Sequence, residues 1–142
     1  MAHPDKPLPY IGPDTAKFWA AAREHRLSLP VCETCHRAHW PPGPVCPFCF
    51  GDGLTWRDMS GRGTITTFTI VHRDWYPALM VNGPYNVIQV ELEEGPRLTA
   101  NLVDPPPGGP RIGMAVEVIF DDVTPEVTLP RFRPRQAGER NG

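Results

Sequence analysis

The stretch CETCHRAHWPPGPVCPFC, residues 32–49, contains every cysteine of this 142-residue chain. The cysteines form two Cys-x-x-Cys pairs, Cys32 with Cys35 and Cys46 with Cys49, which ten residues separate. Each pair can aim two thiolates at one point, and two pairs brought together form a tetrahedral sulfur site. The spacing therefore predicts a metal centre with these four cysteines as its ligands.

The ligand set predicts a structural zinc ion. Four thiolates close the coordination shell, so no position is left for water or substrate. Iron in a rubredoxin-like site would use the same ligands and geometry, although a rubredoxin needs a longer separation between its pairs. The second pair, Cys46-Pro47-Phe48-Cys49, also has the form of a redox motif, but no thioredoxin-like βαβ pattern surrounds it.

The composition restricts the fold class and the compartment. Nineteen prolines, several of them clustered, exclude long helices over most of the chain. A net charge of −2 gives no general attraction for nucleic acid. No apolar run resembles a signal peptide or approaches the roughly 18 residues of a membrane span. We therefore expect a cytoplasmic protein without membrane contact, where thiols bind metal rather than pair as disulfides.

One helix is predicted before the cysteines, over residues 14–26. Asp14 can act as its N-cap, and the following residues are mostly good helix formers. Apolar residues recur there at three-to-four spacing, as on one face of a helix. That stripe comprises Phe18, Ala21, Ala22 and either His25 or Leu27.

After the cysteines the apolar period changes to two, which predicts strands. The proline-rich stretch 104–113 is predicted to be a loop. Five strands with hairpin-like links after a metal module fit the OB-fold, although a generic small β-barrel or sandwich would show the same pattern. The five predicted strands span residues 63–73, 85–94, 98–103, 114–123 and 126–134.

The predicted fold is mainly β, with an N-terminal helix, a rubredoxin-like zinc ribbon and a C-terminal five-stranded OB-fold barrel. The predicted parts, in order, are an N-terminal arm and helix (1–27), the zinc ribbon (28–55), the OB-fold barrel (56–134) and a flexible tail (135–142).

No catalytic motif was found, which points to a protein without enzymatic activity of its own. The chain has no nucleophile elbow, P-loop or dinucleotide-binding fingerprint, and the metal site uses every cysteine. The link between the first two strands, HRDWYPALMVNGPY, mixes aromatic, basic and apolar residues as binding surfaces do. Its candidate contact residues are His72, Arg73, Trp75 and Tyr76, which could equally cover one end of the barrel.

The chain resembles the acyl-CoA-associated zinc-ribbon/OB-fold accessory family, long catalogued as a domain of unknown function. The resemblance runs from about Phe18 to Pro134, in register. The segments that carry it are FWAAAREHRLSLPVCETCHRAHWPPGPVCPFC, SGRGTITTFTIVHR, PYNVIQVELEEGPRLTANLV, RIGMAVEVIFDDV and TLPRFRP. One departure is Gly43, where many relatives have a basic residue in the ribbon loop.

The resemblance implies a non-catalytic subunit that completes or stabilises an acyl-CoA enzyme. A thiolase-like subunit is the expected partner, and an acyl-CoA hydratase or a retro-aldolase of steroid or aromatic degradation is the alternative. Structural zinc is the implied cofactor, with coenzyme A as a ligand shared with the partner. Arginines could meet the partner or the phosphates of coenzyme A. These are Arg111, Arg131 and Arg133.

Two other functions use the same modules. A binder of single-stranded nucleic acid needs a positive groove with interleaved aromatic residues, and the second predicted strand carries mainly acidic and neutral residues instead. An electron carrier would hold iron at the four cysteines. We expect neither function for this chain.

Overall fold

The computed structural model describes residues 7–136, so the first six residues of the predicted arm and most of the predicted tail lie outside the described residues. The described chain contains one α-helix and seven strands, which confirms the prediction of a mainly β fold with an N-terminal helix. The helix, α1, spans Ala16–Arg23. The strands are β1 Ser28–Cys32, β2 Leu54–Asp58, β3 Arg62–Val71, β4 Tyr85–Leu92, β5 Arg97–Ala100, β6 Ala115–Asp122 and β7 Thr128–Pro134.

Helix α1 is shorter than predicted at both ends. Thr15 rather than Asp14 occupies the N-cap, and its hydroxyl accepts a hydrogen bond from the Gly12 N–H instead of capping the helix. At the other end His25 has a left-handed φ of 60°, and its N–H bonds to the Ala22 carbonyl. This is the Schellman pattern, which turns the chain out of the helix.

A two-stranded antiparallel sheet of β1 and β2 brackets the cysteine segment. Its register pairs Ser28 with Asp58 and Cys32 with Leu54, so the two ends of that segment meet. These two strands are not among the five predicted ones, because Pro30 and the cysteine motif obscure the alternating pattern.

The remaining strands form one antiparallel sheet in the order β5-β4-β3-β6-β7. The sheet curls until its two edges meet at a parallel bridge between Leu102 and Phe132. The Val103 N–H donates to the Phe132 carbonyl at 2.7 Å, and the Phe132 N–H donates to Asn101 at 3.0 Å. This half-barrel confirms the predicted five-stranded OB-fold.

Strand β3 is paired unevenly. It pairs with β4 along its length but with β6 only from Arg62 to Thr64. Two further bonds at Ile65 reach Gly113 and Met114. Past the bulge between Ile65 and Thr67, β3 and β4 continue as a two-stranded projection that we call the arm. This projection is distinct from the predicted N-terminal arm. The arm comprises Thr67–Val71, Tyr85–Gln89 and the connecting residues 72–84.

A close approach at Gly61 joins the start of β3 to β6. Gly61 has a left-handed φ of 79°, and a Cβ there would lie 2.4 Å from Cγ1 of Val118. The Val118 N–H donates to the Gly61 carbonyl at 2.7 Å. Glycine is therefore required here both for backbone conformation and for space.

One hydrophobic core connects the helix, the ribbon and the half-barrel. Phe18 of α1 and Leu29 of β1 belong to the same buried cluster as Ile88 of β4 and Phe132 of β7. The Trp40 ring lies 4.3 Å from the Phe18 ring, centroid to centroid, which attaches the cysteine segment to this core. Within residues 7–136 no helix is long and apolar enough to cross a membrane.

Candidate functional site

The two Cys-x-x-Cys turns have the same backbone geometry. In the first turn the His36 N–H donates to the Cys32 carbonyl at 2.9 Å, and in the second the Phe50 N–H donates to the Cys46 carbonyl at 2.9 Å. The residue after each second cysteine is left-handed, with φ of 64° at His36 and 63° at Phe50. Two equivalent turns therefore face each other across one site.

The four sulfurs of these turns converge. All ligand atoms lie within 4.8 Å of one another, with Sγ distances of 3.5 Å between Cys32 and Cys49 and 3.6 Å between Cys35 and Cys46. A disulfide would need about 2.05 Å. Zinc bonds of about 2.3 Å in a tetrahedron place sulfurs about 3.8 Å apart. The residues present thus fit a zinc ion.

Backbone N–H groups are aimed at the first sulfur of each turn. The Thr34 N–H lies 3.3 Å from Sγ of Cys32, and the Phe48 N–H lies 3.4 Å from Sγ of Cys46. The N–H of Cys35 contributes most to lowering the pKa of the Cys32 thiol, which falls to about 6 although burial opposes it. Such bonds stabilise thiolates, the form that binds metal.

Cys49 behaves differently as a free thiol. The Gly51 N–H lowers its pKa, but the neighbouring Cys32 sulfur and burial outweigh that bond and raise the pKa to about 11. Cys32 and Cys46 are fully buried, whereas Cys49 is exposed. Metal binding to this set must displace protons, chiefly at the more exposed end of the site.

Sequence reasoning missed the position of His39, because nothing in its neighbourhood signals burial. The side chain is 3% exposed, and neither ring nitrogen has a hydrogen-bond partner among residues 7–136. Burial lowers the pKa of His39, so the ring stays neutral near pH 7. It lines a cleft of about 650 Å³ between the cysteine segment and the β4–β5 turn, together with Arg37, Phe48 and Arg97.

The four loop residues singled out from the sequence lie together in the arm. Trp75 is 64% exposed and Tyr76 55% exposed. The Arg73 guanidinium lies 4.5 Å from the Trp75 ring centroid, a cation–π contact that holds the indole in place. His72 is exposed beside them.

The three candidate arginines lie elsewhere. Arg111 is exposed in the β5–β6 link. Nε of Arg131 donates to Asp121 at 2.9 Å, and Nε of Arg133 donates to Glu117 at 2.7 Å. Between residues 7 and 136 no hydrogen bond or ion pair joins these arginines to the arm loop. Their contact with a partner or with coenzyme A stays a prediction.

Two adjoining parts of the chain each match a protein-family model. Residues 19–55 match the family model described as the ChsH2 rubredoxin-like zinc ribbon domain. Residues 56–121 match the model described as the ChsH2 C-terminal OB-fold domain. These two models cover the cysteine site and the curled sheet as far as β6.

Individual proteins of known sequence are also similar to this chain. A Thermomonospora curvata protein named "Probable enoyl-CoA hydratase alpha subunit" is 38% identical over 129 residues, 91% of this chain and 40% of that protein. A DUF35 domain-containing scaffold protein of Pyrococcus furiosus is 35% identical over 105 residues, 73% of this chain and 76% of that protein. This chain therefore spans less than half the length of the hydratase relative.

A solved structure described as "Ltp2-ChsH2(DUF35) aldolase" contains a chain with the same fold. Its TM-score is 0.80 at 38% sequence identity, and the match covers 89% of this chain and 98% of that chain.

Proposed function

Because this chain belongs to the family of ChsH2-type zinc-ribbon and OB-fold proteins that includes the DUF35 scaffold proteins, we propose that it is a non-catalytic scaffold subunit of an acyl-CoA-processing enzyme. The observation that carries this proposal is the match to a named scaffold protein over most of both chains. The closed set of four sulfurs supports it, since such a site holds structure rather than activating a substrate.

The partner that the relatives favour is a hydratase or an aldolase subunit. One relative is named as a hydratase alpha subunit and another as part of an aldolase. Neither name mentions a thiolase, so the alternative drawn from the sequence is better supported than the thiolase-like partner expected first.

The zinc ion would be held by all four cysteines and would fix the course of residues 33–53. This segment contains little regular structure, and its connection to the core runs through β1 and Trp40. A structural zinc ion supplies the folding free energy that so small a core lacks. The purified chain should be colourless with one zinc ion per chain, and a red iron protein would contradict this assignment.

The scaffold role is tested by co-purification from the native host. Tagged full-length chain should bring down an acyl-CoA hydratase or aldolase subunit, which mass spectrometry identifies. Co-expression of that subunit with and without this chain should then show that this chain raises its solubility or activity. A chain that purifies alone, or a subunit that is equally soluble and active by itself, would refute the proposal.

The absence of catalysis is tested on the separate subunits. This chain alone should turn over no acyl-CoA substrate that the complex accepts. Substitution of exposed residues such as Trp75 and Tyr76 should lower partner binding without changing the rate constant of the assembled enzyme. A change in that rate constant alone would place the loop in the reaction itself.

A further inference from the structure

The outer half of β3 has one unpaired edge. Between Thr67 and Val71 the strand pairs with β4 on one side, and among the described residues no strand pairs with the other side. An unpaired strand edge presents free N–H and C=O groups that can bond to another chain. A two-stranded ribbon by itself is only marginally stable in water.

From Thr67 to Val71 this edge lacks charged residues and prolines, which commonly prevent unwanted pairing, although a bulge lies at its start. The sequence TITTFTIV, residues 64–71, contains no charged residue and no proline. The opposing strand segment, Tyr85–Gln89, is also uncharged. Natural sheets protect open edges with charges, prolines or coverage by another element. An uncharged edge of this kind therefore favours coverage by a partner.

Two apolar side chains are left partly uncovered at the edge. Phe68 pairs with Ile88, which is fully buried, so Phe68 projects from the core-facing side of the sheet. Ile70 is on the same side, and both remain 37% exposed. Strand β6 does not extend alongside this part of β3. A strand added at the edge would cover both side chains.

The end of the arm extends the same apolar surface. Trp75, Tyr76 and Val81 are 64%, 55% and 62% exposed. The short 3₁₀ turn Pro77–Leu79 anchors the loop through the buried Ala78. Exposed aromatic residues on an anchored loop are typical of interface hot spots.

We propose that the open edge of β3 at Thr67–Val71 receives an uncharged, extended strand of the partner enzyme subunit. The neutral edge selects this chemistry, because a charged strand would lose its hydration there without meeting an opposite charge. A second copy of this chain is a poorer occupant. Five paired residues bury much less than the roughly 1,200–2,000 Å² of a stable interface. A larger partner can also cover the loop.

This inference rests on the proposed function, and its test uses the acyl-CoA enzyme subunit identified by co-purification. Binding of that subunit should slow hydrogen exchange at least about tenfold at those Thr67–Val71 amides that do not bond to β4, because strand addition protects backbone groups. Contact through side chains alone would leave these amides unprotected. This measurement needs no substitution.

The test variant is Ile70→Lys, and its matched control is Val45→Lys. Both replace an apolar residue of similar exposure, 37% and 41%, the second in the cysteine segment. Ile70→Lys should weaken partner binding at least about tenfold, because it places a charge at the paired edge. Ile70→Thr, which keeps a strand-forming residue, should weaken binding less. Zinc content and thermal midpoint should match the wild type in all three variants.

The outcomes separate the two proposals. If the wild type captures no acyl-CoA enzyme subunit, the proposed function fails and this inference fails with it. If the wild type binds the subunit while Ile70→Lys binds equally well and the edge amides stay unprotected, only this inference fails. If Ile70→Lys changes self-association but not partner binding, a second copy occupies the edge and the inference is overturned.

Discussion

Between Cys32 and Leu54 the chain forms almost no regular structure, whereas from Arg62 to Pro134 most of it lies in five hydrogen-bonded strands. The buried residues differ accordingly. In the cysteine segment they include Cys32, Cys46 and His39, and in the sheet they are mainly aliphatic and aromatic. These differences predict that the cysteine segment depends on a metal for its conformation, whereas the sheet depends on burial of apolar surface. Four changes test this difference.

Loss of a zinc ligand should have the largest effect. Cys32→Ser or Cys49→Ser should give insoluble protein without zinc, because structural zinc binding is worth about 10–16 kcal/mol in small peptides near pH 7. Solubility and metal content measure the result. His36→Asn is the control, since His36 lies in the same turn outside the sulfur set. A cysteine variant that stayed folded and bound its partner would contradict the proposed role of the metal.

Truncation of a core residue in the sheet should have the second-largest effect. Phe132 is completely buried where the two sheet edges meet, so Phe132→Ala should lower the free energy of unfolding by about 3–5 kcal/mol. Phe50→Ala in the cysteine segment should cost little, because Phe50 is 77% exposed. Urea denaturation measures both changes. Equal losses would show that the two regions are not stabilised differently.

Substitution of glycine by alanine should affect stability differently in the two regions, with a smaller effect than loss of Phe132. Gly61→Ala should destabilise the protein by about 1–3 kcal/mol, because its Cβ would clash with Val118 and its φ is left-handed. Gly83 is also left-handed, but no described atom lies within 4 Å of an added Cβ, so Gly83→Ala should show the conformational part of the destabilisation alone. Gly43→Ala in the cysteine segment has neither problem and should be neutral. Thermal midpoints compare the three variants.

The smallest expected effect is a gain. Phe50→Gly should raise stability by about 0.5 kcal/mol, because glycine accepts the left-handed φ of 63° without the steric cost that phenylalanine incurs. The rate of zinc transfer to a chelator should fall as well. Val45→Gly, a change in the same segment without a positive φ, should lower stability slightly. A loss for both variants would mean that the Phe50 ring stabilises the turn.

Local patterns in the sequence were sufficient to predict much of this structure. The cysteine spacing predicted convergence of four sulfurs, and they lie within 4.8 Å of one another. Alternating residues predicted the five strands of the OB-fold, with ends that differ from the structure by a few residues. The identity of the cysteines as zinc ligands stays a prediction.

Features that depend on contacts between residues far apart in the sequence were not predictable. The β1–β2 pair joins residues on either side of the cysteine segment, and Pro30 within β1 hides its strand character. Burial of His39 depends on packing between the ribbon and the rest of the chain. The open edge of β3 follows from where β6 begins, at Ala115, and no local pattern around Thr67 reveals it.

The β1–β2 pair directly supports one half of the candidate metal site. Cys32 is the last residue of β1 and is held in the ladder opposite Leu54, so backbone pairing fixes its position. Cys49 is exposed on a turn outside both strands. The two halves of the site are therefore supported unequally, and removal of the ion should disturb the Cys46–Cys49 turn more than Cys32.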